Sequence, residues 1–61
     1  MTLEKLFCMI PEEQIVIVLD NEDGEEIARY DGRESIPKAL NRCKVASITA
    51  GGSWELRVYV E

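Results

Sequence analysis

The stretch Gln14-Ile15-Val16-Ile17-Val18-Leu19-Asp20-Asn21-Glu22-Asp23-Gly24 decides the fold. Ile15 to Leu19 is a run of apolar, mostly β-branched residues, a composition that suits a pleated strand. The acidic run that follows ends in Gly24, a residue that tolerates positive φ. Glu25 to Tyr30 then reads as a second strand, so the pair forms a β-hairpin. A strand with one wet face alternates apolar and polar residues. This one does not alternate, so both of its faces call for cover.

Upstream, Thr2 to Ile10 has the pattern of a short helix. Leu3, Leu6, Phe7 and Ile10 fall at i, i+3, i+4 and i+7, on one face. Thr2 is placed to cap it, Glu4 suits its positive end, and Pro11 stops it by pushing Ile10 out of the α region.

Downstream, Ala28 and Tyr30 share one face of the second arm, and Ile27 and Arg29 the other. Gly32 punctuates a loop over 31–34. Ser35 to Arg42 reads as a second short helix. Ser35 or Ile36 lies at its cap, Pro37 in its first turn, and Ile36, Leu40 and Cys43 face the sheet. Lys44 to Ala50 is a third strand, and Gly51-Gly52-Ser53 a turn. Trp54 to Val60 is a fourth strand, with Trp54, Leu56, Val58 and Val60 on its dry face. The expected fold is α+β: one domain over 1–61, ordered α-β-β-α-β-β. Its four-stranded, mainly antiparallel sheet carries two short helices on one face.

A chain of 61 residues is short for a self-sufficient core. Small domains add disulfides, a metal or a partner subunit. Cys8 and Cys43 sit in apolar settings and read as reduced, buried thiols; two cysteines without histidine make no zinc site. Oligomerisation remains, with the Ile15–Leu19 strand region as the expected contact between copies. Twelve acidic against seven basic residues, for a net charge of −5, disfavour direct binding to nucleic acid. No apolar run is long enough for a membrane span, and the N-terminus lacks the pattern of a signal peptide, so a cytoplasmic location is expected.

Catalysis finds little support. The chain has no histidine to serve as a base and no Gly-x-Ser-x-Gly turn. A calcium loop would put its first ligand at Leu19 if Gly24 were its glycine, so that match fails and no metal or cofactor is expected. The cations are better candidates. Arg29 and Arg57 lie on strands, Arg33 lies in the loop, and Tyr30, Trp54 and Tyr59 are near them in sequence. Arginine with a stacking aromatic is a common way to hold the phosphate and base of a nucleotide. Backbone N–H groups of Gly51-Gly52-Ser53 could join them. These six residues form the expected ligand-binding set. A different reading uses Glu12, Glu13, Glu22, Asp23, Glu25 and Glu26 as a negative ridge for a basic protein partner.

A whole-chain pattern combines the short N-terminal helix, the β-rich arm and the Asp20-x-x-Asp23-Gly24 turn. It continues through Tyr30-x-Gly32, Ser35-Ile36-Pro37-x-x-Leu40, Val45-x-x-Ile48 and Leu56-Arg57-Val58-x-Val60. This pattern resembles the small accessory proteins of bacteriophages and prophages of gut Firmicutes; Cys8, Cys43 and Trp54 lie outside it. The resemblance implies an anti-defence role in the infected host. In its first form this is a homo-oligomeric sponge that sequesters a nucleotide-derived immune signal, such as a cyclic nucleotide or an ADP-ribose derivative. In its second form it is an acidic inhibitor of a host defence nuclease, of the anti-CRISPR or anti-restriction kind. The alternative outside defence is a non-catalytic phage assembly adaptor that holds no ligand. None of these is an enzyme.

Overall fold

A computed structural model describes residues 1–31, 36–52 and 54–61. Helix α1 spans Leu3–Met9, and four strands follow: β1 Ile15–Asp20, β2 Glu26–Tyr30, β3 Val45–Ala50 and β4 Glu55–Val60. A 3-10 helix, Lys38–Arg42, lies between β2 and β3. No helix among the described residues is long and apolar enough to cross a membrane.

Local chemistry sets α1 as its periodicity requires. The Thr2 side chain accepts a hydrogen bond from the Lys5 N–H at 3.4 Å, and Ile10, before Pro11, turns to φ −114° and ψ 155°. Leu3 and Leu6 are buried, and Phe7 and Ile10 pack on the same core. Cys8 is exposed, contrary to the expectation of a buried thiol. It lies one residue, about 100° of helical turn, beyond Phe7 and so leaves the inner face. Cys43 does pack against the core. Both are free thiols.

The hairpin forms where expected. Asp20 Oδ1 accepts from the Glu22 N–H at 2.7 Å, and Asp23 Oδ1 accepts from the Glu25 N–H at 2.9 Å. The acidic run is therefore a chain of side-chain-closed turns as well as a solubilising tip. Gly24 holds φ at +75°, and its N–H donates to the Asp20 carbonyl at 2.8 Å. Ala28 and Tyr30 pair with Val18 and Val16, so they share the core face. The register slips between Val18 and Leu19, which leaves Ile27 as an unpaired extra residue, 46% exposed.

Strand order departs from a mainly antiparallel sheet. The order is β2-β1-β4-β3, and the two central strands, β1 and β4, run parallel, with Val16 beside Leu56 and Val18 beside Val58. The sheet is therefore mixed. The apolar β1 takes a central place, where neighbours flank it on both sides. The two hairpins lie side by side, so the segment from β2 to β3 crosses from one edge to the other. It does so on the α1 side, where Ile36, Leu40 and Cys43 join the core of Leu3, Leu6, Val16, Val18, Val58 and Val60. That crossing carries a 3-10 helix, not the expected longer helix. Pro37 stands at its cap position with φ −52° and ψ 135° and has no side-chain cap bond. A single tight turn of this kind depends on packing. The expected cap residue Ser35 and the loop residues Gly32 and Glu34 lie outside the described residues.

Candidate functional site

The sheet has one face under α1 and one open face, and the alternation of side chains sorts the candidates between them. Across the open face runs a row set by register: Arg29 on β2, Ile17 on β1, Arg57 on β4 and Thr49 on β3. The next row is Leu19, Tyr59 and Ser47, and in the other direction Ile15 lies beside Glu55. Arg29, Arg57 and Tyr59 are thus brought to one surface. The two arginines are two strand spacings apart, about 10 Å.

Tyr30 goes to the other side. It pairs with Val16 and its ring meets that of Phe7, with centroids 5.2 Å apart at 58°. It is a packing residue and cannot share a ligand with Arg29 from the same face. Arg33 and Ser53 lie outside the described residues.

Ile17, on the second face of β1, finds its cover within the chain. It is only 6% exposed. Arg29 explains this. Its Nη1 lies 3.7 Å from Glu55 Oε1 and its Nη2 lies 3.4 Å from Glu26 Oε1. Arg29 is on β2 and Glu55 on β4, so the side chain must reach over β1 to make the contact. Its alkyl stem then lies along the Ile15–Ile17 strand while its charged head stays wet. Such a half-exposed ion pair contributes only about 0.2–1 kcal/mol. Its larger effect is to shield Ile17. Arg29 is thereby committed to structure.

Arg57 is not so committed. It is exposed and makes no ion pair or side-chain hydrogen bond among the described residues. It lies against Gly51: a methyl group placed there would come within 3.1 Å of Glu55 Cβ, 3.3 Å of Glu55 Oε2 and 3.4 Å of Arg57 Nε. The bare backbone at Gly51 leaves room for that approach.

Trp54 departs furthest from expectation. It is 70% exposed and sits outside β4. Its φ is +66°, in the left-handed region that bulky residues avoid at a cost of about 1–2 kcal/mol. A second residue, Gln14, which the sequence reading did not single out, holds it there. Gln14 Nε2 donates to the Trp54 carbonyl at 2.7 Å and to the Ile15 carbonyl at 3.0 Å, tying the β3–β4 turn to the start of β1. Only contact across 40 residues of sequence reveals this role. Trp54 is thus a strained, exposed tryptophan directly before Glu55 and three residues before Arg57 on the open face.

Trp54→Gly provides a test. Glycine relieves about 1–2 kcal/mol of left-handed strain and costs about 0.5–1 kcal/mol in chain entropy, so chemical denaturation should show a net gain of about 0.5–1 kcal/mol. The same variant should lose affinity for any ligand whose base stacks on the indole. A loss of stability would mean that the ring contributes packing that offsets its backbone strain.

The acidic residues do not form one ridge. Glu12 and Glu13 precede β1 and Glu22 to Glu26 follow it, so they sit at opposite ends of a six-residue strand, about 20 Å apart. A shallow recess of about 320 Å³ lies at the hairpin end, lined by Asp20, Asn21, Glu22 and Glu61. Its charge opposes a phosphate. Among the described residues no group of three acidic, cysteine or histidine side chains is arranged to hold a metal ion. Comparison with family models, with curated proteins and with solved structures finds no match.

Proposed function

We propose that this chain is a phage-encoded, non-catalytic anti-defence protein that assembles with copies of itself and sequesters a nucleotide-derived signal on its open sheet face. The observation that carries the reading is Arg57: a guanidinium on a strand with no ion pair among the described residues, beside the backbone of Gly51 and the Glu55 side chain and on the same face as Tyr59. Rigid cations of this kind suit phosphate, because the fork is already oriented when the ligand arrives. Trp54 supplies an aromatic surface near the same end of β4. Ile15 and Leu19, half-buried on the open face, are the positions a second copy would cover. The split of the acidic residues into two distant groups favours this reading over charge mimicry of a nucleic acid.

The test is a melting series with cyclic nucleotides and ADP-ribose derivatives. A ligand at a hundredfold excess over its Kd adds about 2.7 kcal/mol, which for a domain of this size raises Tm by on the order of 10 °C. A flat Tm across the whole panel would overturn the proposal.

A further inference from the structure

The two edges of the sheet are built differently. The β2 edge carries Glu26 and Arg29, with Glu25 and Asp31 beside it. Charges of this kind discourage another strand from pairing there. The β3 edge has no charged guard; its one irregularity is a bulge at Ala46, where the register slips between Val45 and Ser47. Val45 to Gly52 contains no charged residue in a chain that is 31% charged, and Ala46 to Ala50 are all exposed. This stretch holds neither proline nor an inward-pointing charge.

The open part of that edge has definite limits. At its start the N-terminal backbone already occupies it: Val45 N–H donates to the Met1 carbonyl at 2.8 Å, and Leu3 N–H donates to the Cys43 carbonyl at 3.0 Å. At its end the Gly51 N–H turns inward to the Glu55 carbonyl at 2.8 Å. Polar groups alternate in direction along an antiparallel strand. Since Gly51 points inward, Thr49 does too, and Ile48 and Ala50 present their N–H and C=O groups outward. The regular free window therefore begins after the bulge at Ala46 and runs from Ser47 to Ala50, around the outward groups of Ile48.

We propose that β3 pairs antiparallel with β3 of a second copy about a twofold axis through Ile48, joining two four-stranded sheets into one. The window is self-complementary in that register. Ile48 meets its own counterpart and Ser47 meets Thr49, while the bulge at Ala46 marks where the regular pairing ends. The outward groups of Ile48 bond reciprocally. Ile48, which lies on the α1 side beside Val58 yet is 41% exposed, gains a buried neighbour. On the open side, Ser47 and Thr49 place hydroxyl against hydroxyl, a favourable cross-strand pair. No like charges meet across the axis, whereas a β2 edge paired with itself would bring Glu25, Glu26 and Asp31 into play. A twofold contact of this kind closes on itself and needs no other partner. The pairing does not rest on the nucleotide reading.

The experiment combines solution mass with amide hydrogen exchange on the full chain. The expected result is a mass of at least two chains, with the Ile48 and Ala50 amides slowed about tenfold or more relative to an Ile48→Lys variant. Ile48→Pro removes an outward N–H and leaves the inward ladder to β4 intact, so it should halve the mass while the circular dichroism spectrum stays folded. Ile48→Lys places two like charges at the axis and should do the same, and Ile48→Val should leave the mass unchanged. A monomeric wild type overturns the proposal. So does an assembly whose Ile48 and Ala50 amides exchange fast, because it would be held by another surface.

Discussion

Val18→Asp is expected to unfold the chain. Val18 is fully buried, paired with Ala28 on one side and Val58 on the other, beneath a core that includes Leu3 and Leu6. A carboxylate there has no described basic or donor side chain in the core, so it must either stay charged without a partner or take up a proton at neutral pH. Either route costs several kcal/mol. A 61-residue domain holds only about 3–9 kcal/mol in total. Thermal scans should therefore lose their cooperative transition, and far-UV dichroism should show a largely unfolded chain. Leu19→Asp provides the contrast. Leu19 lies on the open face beside Tyr59 and is half-buried, so its variant should stay folded and report only on contacts between copies. From sequence, Ile17→Asp and Val18→Asp look like equivalent probes of a subunit interface. The structure makes Val18 a core residue and buries Ile17 under Arg29, so neither isolates an interface. A folded Val18→Asp with an unchanged Tm would refute the assignment of faces on β1.

On the proposed nucleotide-sequestering reading, Arg57→Gln should weaken ligand binding by about 10- to 100-fold, the worth of one charge-assisted hydrogen bond to phosphate of about 1.5–3 kcal/mol. Its Tm without ligand should barely change, because Arg57 is exposed and makes no ion pair among the described residues. Arg29→Gln should behave differently. Removing that guanidinium releases Glu55 and Glu26 and loosens the cover on Ile17, so stability falls along with any effect on binding. Added salt should weaken wild-type binding and flatten the difference between wild type and Arg57→Gln. If calorimetry gives Arg57→Gln the affinity of wild type, the open face is not the phosphate site.

Much of the local architecture was legible in the residues. The spacing of Leu3, Leu6, Phe7 and Ile10, with Thr2 before them and Pro11 after, located α1 to within a residue at each end. The apolar run and the glycine at position 24 located the hairpin and its positive-φ residue. Alternation in β4 correctly placed Leu56, Val58 and Val60 on the dry face. It failed at Trp54, because a period of two holds only while the backbone stays extended, and the chain leaves that conformation at φ +66°. Cys8 was misplaced through composition: its apolar neighbours suggested burial, although helical rotation carries it outward.

The candidate site was less legible, since a site depends on which strands are neighbours. Arg29 and Arg57 were both visible as strand cations, but nothing in their spacing says that one is bound to Glu55 and the other is not. Tyr30 follows Arg29 directly and therefore faces the opposite way. Gln14 carries no motif at all.

The sequence by itself determined α1, the four strands, the dry face of β4 from Leu56 onward and the need to cover β1 on both sides, because helix and strand periodicities act over a few residues. Only the tertiary structure decided how that need is met. The parallel pairing of β1 with β4 brings Glu55 within reach of Arg29 across β1, and the sheet order leaves β3 as an edge without charged residues. Those outcomes depend on contacts between residues far apart in the chain, where the loop crossing the α1 side sets which strands meet.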